Sequence, residues 1–470
     1  MNTIEELIIE RIKPTQDEYQ YLEEIFTRIK NHLENYLRKH GVEVEVTLQG
    51  SVAHDTWLHG DRDIDVFILF PKNIEINELR DKYFKLVAKA CSEIGLVEFR
   101  YAEHPYVRLK LDSVEADIVP AYKLNSPNEI RTAVDRTPFH TMYVNSKLTR
   151  EMKNEVRLLK KFMKSIGVYG AEIKTKGFSG YVVELLIIHY GNFRKAVEEI
   201  SKWRAPVYLN TLGSEEEFRK IIRKLRVKYR DSIIYIPDPV DPMRNTTANV
   251  SIRNFVKLVL ASNCYLKNPD PLFFEEGVRR NINLDELNKL VRNRCILILY
   301  FNLYEKLAPD VLWGELWRTC DRVVKVILNH GFNVIDYNVW SDEKNRAIIL
   351  LELDECVKNY LKLYKGPEYW SINRVLDYII KHIEKKSIGP WIDNNGSLVA
   401  LGTRKFTDIR ELLINRAFEY LVAPHFRNNK PIVKIINHEN ISDFIGDDEL
   451  FQQIQDFIVK RPVWMEKCIG

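Results

Sequence analysis

Two stretches near the start of the chain alternate between apolar and polar positions with the period of a β-strand. The first covers residues 42–48, and the second covers residues 63–70, where Ile64 separates Asp63 from Asp65. Successive side chains of a strand point to opposite faces of the sheet, so both carboxylates are expected on one face. The pattern therefore predicts a half-buried strand that carries a pair of acids on its polar side.

Apolar residues recur at helical spacing around these strands, and further alternating stretches follow them. The predicted helices cover residues 3–14, 17–40, 51–58 and 79–94, and the predicted strands cover residues 42–48, 63–70, 97–101, 106–111 and 114–119. In the last strand Glu115 and Asp117 share a face, and Pro120 is expected to close the strand because proline cannot donate to a ladder. Residues up to about 145 are therefore expected to form one mixed α/β domain.

The rest of the chain is predicted to contain further helices and strands. Helical segments are expected within residues 151–191, 214–229, 251–266, 312–330, 371–386 and 407–421, and strands over residues 295–301, 332–340 and 346–353 and near Leu398 and Val433. The predicted fold class is therefore α+β and multidomain. The predicted domains are a first domain with a mixed sheet over residues 1–145, a helical domain over residues 146–265, an α/β body over residues 266–365 and a C-terminal α/β region over residues 366–470.

Composition argues against a disordered or membrane-spanning chain. Apolar residues make up 45% and charged residues 29% of the 470 residues, and no uninterrupted apolar run is long enough to cross a bilayer. The first residues are acidic and lack the basic start of a secretory signal, so a cytoplasmic location is expected. The six cysteines include no Cys-x-x-Cys pair, and most are expected to be small core residues.

A basic patch on the helix predicted over residues 214–229 leaves two interpretations open. The net charge of +4 is only a weak argument for a nucleic-acid partner, so local patches matter more. The basic side chains of this segment are Arg219, Lys220, Arg223, Lys224, Arg226, Lys228 and Arg230. They could form a solvated helix face, or they could contact a phosphate backbone.

The acid pair follows a glycine–serine turn that suits a bound phosphate. Gly50 lets the backbone come close to a bound group, Ser51 offers a hydroxyl and an amide, and the start of the short helix predicted next suits an anion. Asp63 and Asp65 could be solvated strand residues, but Asp117 adds a third acid that faces the same way from a nearby strand. Such carboxylates can share divalent cations that clamp both oxygens of an in-line displacement. The arrangement therefore indicates phosphoryl or nucleotidyl transfer.

The order of Gly-Ser, Asp-apolar-Asp-apolar and a later Asp resembles the nucleotidyltransferase superfamily that includes DNA polymerase beta. Further segments resemble the archaeal (class I) CCA-adding enzymes, the tRNA nucleotidyltransferases. These segments are residues 50–53, 56–58, 64–67, 100–107, 117–124, 133–140, 154–160, 169–172, 177–181 and 238–245. The resemblance is close over residues 42–265 and looser beyond them, and it implies that the first domain is a polymerase-beta-like nucleotidyltransferase domain.

The resemblance also implies roles for individual residues. Asp63, Asp65 and Asp117 match the catalytic carboxylates that bind metal in the family. Ser51 matches the residue after the turn glycine, which holds the terminal phosphates. The metal implied is Mg²⁺.

Further residues match nucleotide contacts of the family. His140, Lys160 and Tyr169 match contacts to the triphosphate and ribose, and Arg244 matches an arginine implicated in reading the incoming base together with the RNA backbone. The residues alone also allow a structural histidine, a solvated lysine and a packed tyrosine. His54 stands where the family usually has an arginine near the triphosphate. Histidine is only partly protonated at neutral pH, so a His54 contact should make phosphate binding weaker or more pH-dependent.

The implied activity is addition of C, C and A to the tRNA 3′ end from CTP and ATP, without a nucleic-acid template and with release of pyrophosphate. The implied partners are the tRNA acceptor arm, CTP, ATP and a second copy of the chain in a homodimer. Alternatives are another RNA terminal adenylyltransferase, a small-molecule nucleotidyltransferase, or a non-catalytic RNA-binding protein with a relict transferase fold. The length of chain after residue 150 favours an RNA substrate, and the intact set of three acids argues against a relict fold.

Overall fold

The computed structural model describes residues 3–100, 105–280, 282–446 and 448–469. Tyr101, at the end of one predicted strand, and residues 102–104 of the family-like segment lie outside the described residues. The chain divides into two compact units, residues 1–280 with residues 462–470 (unit 1) and residues 281–461 (unit 2). This division is coarser than the four predicted domains, whose boundaries stay a prediction.

Unit 1 begins with a five-stranded sheet and its flanking helices. In chain order the elements are α1 (Ile4–Ile12), α2 (Gln16–Lys39), β1 (Glu45–Gln49), α3 (Gly50–Ala53), β2 (Asp63–Phe70), α4 (Ile76–Glu78) with a π-helical turn (Leu79–Tyr83), α5 (Phe84–Ser92), β3 (Leu96–Arg100), β4 (Tyr106–Leu111), β5 (Val114–Tyr122) and α6 (Thr137–Lys147). The strand order is β1-β2-β5-β4-β3, with β2 and β5 parallel and the other neighbours antiparallel. The predicted mixed sheet is confirmed.

The apolar face of this sheet packs against α2 and α5. Ile29, Leu33 and Leu37 of α2 are fully buried, as are Val66 of β2 and Ile118 of β5, and all belong to one core cluster. Because the apolar side chains of β2 and β5 occupy this face, the alternation of the strands places their carboxylates on the opposite face. Burial of the apolar side chains in the core therefore determines which face of the sheet carries the acids.

Two predicted boundaries near the acids are wrong. The helix predicted over residues 51–58 already ends at Ala53. Two residues later, Asp55 adopts the left-handed conformation (φ 55°) that commonly follows a helix end. The second error concerns β5, which continues through Pro120 rather than stopping there. The ladder to β4 ends at Ile118, so Pro120 lies beyond the stretch where β4 pairs with β5.

The rest of unit 1 is mainly helical and has its own aromatic core. Its elements are α7 (Arg150–Ser165), α8 (Gly180–Tyr190), α9 (Phe193–Ile200), β6 (Val207–Tyr208), α10 (Glu215–Lys228), β7 (Ile234–Tyr235) and α11 (Ile252–Lys267), with 3₁₀ turns at Pro271–Phe274 and Val463–Cys468. Phe162 packs its ring against Phe193 and Phe273 at centroid distances of 5.8 and 5.9 Å. Trp464, from the returning C-terminal turn, is buried in the same core.

No helix within the described ranges is long and apolar enough to cross a membrane. The basic helix α10 carries exposed ion pairs one helical turn apart, Arg219 with Glu215 and Lys220 with Glu216. These pairs agree with the solvated interpretation for the two basic side chains involved. A phosphate contact by the rest of α10 stays a prediction.

Unit 2 contains a four-stranded and a three-stranded sheet. Its elements are α12 (Leu284–Val291), β8 (Cys295–Asn302), α13 (Pro309–Asn329), β9 (Val334–Ser341), β10 (Arg346–Leu353), β11 (Leu361–Lys365), α14 (Ile372–Glu384), β12 (Ile388–Ile392), β13 (Leu398–Thr403), α15 (Ile409–Asn415), α16 (Ala417–Tyr420), β14 (Ile432–Ile436) and α17 (Asp448–Val459). The strand orders are β14-β8-β10-β9 and β11-β13-β12. The predicted strand, helix, strand, strand order from residue 295 to residue 353 is confirmed.

Four of the six cysteines form disulfides, which corrects the expectation that most are small core residues. Cys264 of α11 pairs with Cys468, and Cys295 of β8 pairs with Cys356. The partners are 204 and 61 residues apart in the sequence, so no local spacing could reveal them. Cys91 is one of the two free cysteines of the described residues, and both of these are buried.

Replacing Cys468 with serine is expected to lower the thermal stability of unit 1. The disulfide ties the C-terminal turn to α11, and a cross-link that closes a long loop is typically worth about 2–5 kcal/mol. Thermal unfolding without reductant measures the loss. With reductant, parent and variant should unfold at the same temperature. Equal midpoints without reductant would contradict the Cys264–Cys468 bond.

Candidate active site

The polar face of β2 and β5 gathers four carboxylates. In the parallel register Asp65 lies opposite Asp117, and Asp63 lies opposite Glu115. Residues paired across neighbouring strands project to the same side of a sheet. The three predicted metal-binding acids are thus brought together, with Glu115 as a fourth carboxylate beside them.

Crowding and burial raise the pKa of two of these acids. Burial is the largest cause at Asp65, followed by the charges of Asp117 and Asp63, and together they raise the pKa of Asp65 to about 6. At Asp63, burial and then the charge of Glu115 raise the pKa of the carboxyl. Negative charge is therefore in excess around Asp65, where either a proton or a cation would relieve it.

Arg108 of β4 neutralises part of this charge from the neighbouring strand. Its Nε and Nη2 donate to the two carboxylate oxygens of Asp117 at 2.7 and 2.9 Å, and its Nη1 lies 3.4 Å from Glu115. The hydrogen bond to Asp117 is the main cause of the raised pKa of Arg108. Lys110 in turn lies 3.2 Å from Glu115. Charges therefore alternate in sign from β5 to β4, whereas within the described residues no Lys or Arg side chain forms a salt bridge with Asp63 or Asp65 on β2.

Glycine is required at position 50 because the chain passes under the Asp65 carboxylate. Gly50 has φ 66°, and a Cβ built there would lie 2.0 Å from Asp65 Oδ2. Ser51 follows in the first turn of α3, and its carbonyl accepts the amide of Thr56 at 2.8 Å. The turn that the sequence predicts to approach a phosphate thus lies against the Asp65 carboxylate.

The donor set of Asp63, Asp65 and Asp117 fits a hard divalent cation. All of its donors are carboxylate oxygens, the ligands that Mg²⁺ prefers, and the raised pKa of Asp65 reflects negative charge that a cation would neutralise. Among the described residues, no three Asp, Glu, His or Cys side chains already form a metal-binding group. The bidentate bond to Arg108 engages both oxygens of Asp117, so that carboxylate must exchange partners before it can ligate a metal ion.

A second cluster forms around Glu184 of α8, a carboxylate that is only 3% exposed. Its Oε1 lies 2.8 Å from His54 Nδ1 and accepts a 2.7 Å hydrogen bond from Thr56 Oγ1. The other ring nitrogen of His54 lies 3.0 Å from Thr141 Oγ1. Both nitrogens of His54 therefore have protein partners, and a bond to phosphate requires one of them to be exchanged. The triphosphate contact of His54 stays a prediction under that condition.

Lys160 and Tyr169 lie beside this second cluster. Lys160 is buried, its Nζ donates to the carbonyl of Thr56 at 2.8 Å, and burial lowers its pKa to about 8. The alternative of a solvated lysine, which the residues alone allow, is therefore excluded, and the nucleotide contact of Lys160 stays a prediction. Burial, followed by the charge of Glu184, raises the pKa of Tyr169. A Cβ at Gly180 would lie 2.8 Å from the Tyr169 hydroxyl, so this glycine makes room for the ring.

A third cluster joins His140 to Arg244 through a buried acid. His140 Nε2 and Arg244 Nη1 both lie within hydrogen-bonding distance of Asp238 Oδ2, at 2.8 and 2.9 Å. Tyr181 stacks on the His140 ring with a centroid distance of 4.1 Å and donates its hydroxyl to Asp238 at 3.1 Å. Two of the predicted nucleotide contacts are thus held by one carboxylate.

Sequence reasoning did not assign roles to three charged residues that organise these clusters. Arg108 alternates with apolar residues on β4, which is the pattern of any exposed strand. Glu184 is the one acid in the otherwise apolar α8, and Asp238 precedes a proline in a turn-rich segment. A lone acid in an apolar helix is a usable signal, because such a group is rarely buried without a partner. The partners of Glu184 themselves lie 128 and 130 residues away in the sequence.

Three families of known proteins match successive parts of the chain. Residues 29–140 match the family described as nucleotidyltransferase domain, and residues 154–275 match that described as tRNA nucleotidyltransferase, second domain. Residues 292–424 match the family described as CCA-adding enzyme, C-terminal domain.

Similar proteins come from three genera of archaea. The protein named CCA-adding enzyme from Sulfolobus acidocaldarius is 34% identical over 99% of this chain and 100% of its own length. Proteins of the same name from Saccharolobus solfataricus and Sulfurisphaera tokodaii are 36% and 38% identical, over 98% and 86% of this chain and 100% and 89% of their own lengths. The similarity therefore extends beyond the candidate site.

Replacing Asp65 with asparagine is expected to stabilise the fold at neutral pH. The pKa of Asp65 is raised to about 6 in the folded protein, against about 3.9 in an unfolded chain. Ionised Asp65 therefore destabilises the fold above pH 6, and protonation removes this cost as the pH falls towards 4. The free energy of unfolding should rise by about 1–3 kcal/mol at pH 8 in the variant.

Chemical denaturation in metal-free buffer with a chelator, at pH 4 and pH 8, measures this difference. The variant and the parent should be equally stable at pH 4. A variant that is no more stable than the parent at pH 8 would contradict the crowding of the acids.

Proposed function

The chain belongs to the family of CCA-adding enzymes, which are nucleotidyltransferases, and we propose that it adds C, C and A in sequence to the 3′ end of tRNA. CTP and ATP are the donors in this proposal, and no nucleic-acid template is needed. The 3′-hydroxyl of the RNA attacks the α-phosphate in line. A new phosphodiester forms, the bond between the α- and β-phosphates breaks, and pyrophosphate leaves.

The observation that carries the proposal is the shared face of β2 and β5. Asp63 and Asp65 come from one strand and Asp117 from its parallel neighbour, in direct register. Gly50 brings the α3 turn against Asp65, so a phosphate bound at Ser51 would lie beside the acids. This juxtaposition of a phosphate-binding turn and carboxylates is what nucleotidyl transfer requires.

Asp63, Asp65 and Asp117 would hold the divalent metal, which we take to be Mg²⁺. When bound, such an ion stabilises negative charge that develops on the phosphate oxygens. The protein contributes the oxygen donors and fixes them on rigid strands. The Arg108 guanidinium must release at least one oxygen of Asp117 when that carboxylate ligates metal.

The remaining predicted residues are assigned to different parts of the nucleotide. We assign the terminal phosphates to Ser51, the triphosphate and ribose to His140, Lys160 and Tyr169, and the base together with RNA to Arg244. His54 is included as a triphosphate contact that exchanges its bond to Thr141.

Further parts of the proposal concern partners and location. The acceptor arm of tRNA is the RNA substrate, the working form is a homodimer, and the site of action is the cytoplasm. The other RNA terminal adenylyltransferase and the relict RNA-binding protein are the competing functions. The nucleotides incorporated distinguish the three functions. CCA addition uses CTP and ATP, an adenylyltransferase uses ATP, and a relict fold incorporates no nucleotide.

Incorporation of single nucleotides tests the proposal. tRNA that lacks its 3′ CCA should be extended with CTP, and tRNA that ends in CC should be extended with ATP. UTP and GTP should be incorporated at least about a hundredfold less efficiently, because they lack the amino group that cytosine and adenine present at the corresponding edge. Equal use of UTP and CTP would indicate a less selective transferase, and no extension at all would indicate the relict fold.

Asp65→Asn should abolish extension while tRNA binding stays within about twofold of the parent, since loss of a metal ligand acts on the transition state. The matched control is Asp112→Asn, which removes a carboxylate from the exposed turn between β4 and β5. Among the described residues that acid forms an ion pair only with the exposed Arg28, at 3.4 Å, so the control should extend tRNA normally. Extension by Asp65→Asn at the parent rate would exclude this carboxylate from the reaction.

A further inference from the structure

Asp238 is a fully buried carboxylate that accepts hydrogen bonds from several directions. It is 0% exposed, and its Oδ2 lies 2.8 Å from His140 Nε2 and 2.9 Å from Arg244 Nη1. Its Oδ1 accepts from the hydroxyl of Tyr181 at 3.1 Å and from the amide of Val240 at 3.0 Å. An ionised carboxylate offers about four acceptor positions, so these four donors saturate it.

The role of Asp238 is limited because all of its acceptor positions are occupied by hydrogen-bond donors of the protein. A buried carboxylate with no acceptor position left does not bind the nucleotide itself. Burial alone would raise the pKa of Asp238, but the hydrogen bond and charge of His140, the Val240 amide and Arg244 lower it to about 2. Asp238 is therefore a permanent anion that acts through the side chains it holds.

Those side chains come from separate elements of unit 1. His140 lies on α6, Tyr181 lies on α8, and Arg244 lies in the same loop as Asp238, between β7 and α11. The ring of Tyr181 covers the His140 ring at a centroid distance of 4.1 Å and an interplanar angle of 26°. One carboxylate thus fixes a helix side chain and a loop side chain relative to each other.

We propose that Asp238 is a positioning residue that sets base selectivity by holding the Arg244 guanidinium and the His140 ring in one arrangement around the incoming nucleotide. This inference rests on the proposed function, which assigns His140 to the triphosphate and ribose and Arg244 to the base. A guanidinium carries five donors in a rigid fork, and the bond from Arg244 Nη1 to Asp238 restrains the orientation of that fork. A guanidinium with a restrained orientation can donate only to a base whose acceptors match that orientation. A guanidinium that rotates freely can donate to the acceptors of any base.

The loop backbone has supports that do not involve the Asp238 carboxylate. Asn245 Oδ1 accepts the amide of Ile236 at 3.0 Å, and Asn245 Nδ2 donates to the carbonyl of Ile234 at 2.9 Å. Thr246 Oγ1 donates to the carbonyl of Ile236 at 2.9 Å. An Asp238→Asn change should therefore leave the loop in place and remove the charge that orients Arg244 and His140.

The test compares Asp238→Asn with the matched control Asp241→Asn on tRNA that lacks its 3′ CCA. Asp241 lies in the same loop and pairs with Arg136 at 2.9 Å, but among the described residues its carboxylate forms no hydrogen bond with His140 or Arg244. Asp238→Asn should raise the KM for CTP by about tenfold, lower kcat by less than about threefold, and reduce the preference for CTP over UTP in kcat/KM by about tenfold. Asp241→Asn should keep all three within about twofold of the parent.

Each outcome of this comparison has one meaning. An unchanged preference for CTP over UTP in folded Asp238→Asn overturns the inference, even if KM rises. An equal loss of preference in Asp241→Asn also overturns it, because the effect would then belong to the loop as a whole. If the unmutated protein does not distinguish CTP from UTP, the proposed function fails before the role of Asp238 is tested.

Should Asp238→Asn not fold, as judged by thermal unfolding, Tyr181→Phe replaces it. This change removes one of the four donors to Asp238 and keeps the ring that covers His140. The preference for CTP over UTP should fall by about two- to threefold. A Tyr181→Phe variant with the preference of the parent would overturn the inference.

Discussion

The crowding of carboxylates on one face of β2 and β5 is the interaction on which the candidate site depends. Asp65 faces Asp117 in register, and burial together with the neighbouring acids raises the pKa of Asp65 to about 6. Such an arrangement costs folding free energy, and the fold tolerates it because an apolar core fixes the opposite face of the same strands. Arg108 offsets part of the cost at Asp117, while the charge around Asp65 stays available for a cation.

The short segment from residue 50 to residue 56 connects this acidic face to the rest of the site. Gly50 lies against Asp65, and His54 and Thr56 meet the buried Glu184 of α8. His54 also lies within hydrogen-bonding distance of Thr141. The preceding residue, His140, is bound to Asp238. The three clusters are therefore linked through protein contacts within unit 1.

Local patterns predicted the sheet, its acid pair and the third acid, because strand alternation and helix capping are recorded within a few neighbouring residues. The same reasoning failed where distant contacts decide the outcome. The helix after Gly50 stops early since Asp55 adopts a left-handed conformation, and Lys160 is buried although it stands among other lysines on α7. The disulfide partners, and His140 and Tyr181 beside Asp238, are likewise brought together only by the tertiary fold, so no spacing in the sequence predicts them.

The most direct test of this account is the titration of the Asp65 carboxyl itself, followed by NMR with carbon-13-labelled aspartate in metal-free buffer. The parent should titrate with a midpoint near pH 6, and Asp117→Asn should move that midpoint downward, because Asp117 is the largest of the neighbouring charges that raise it. A parent midpoint close to the ordinary value of about 3.9, unchanged by Asp117→Asn, would contradict the crowded acidic face.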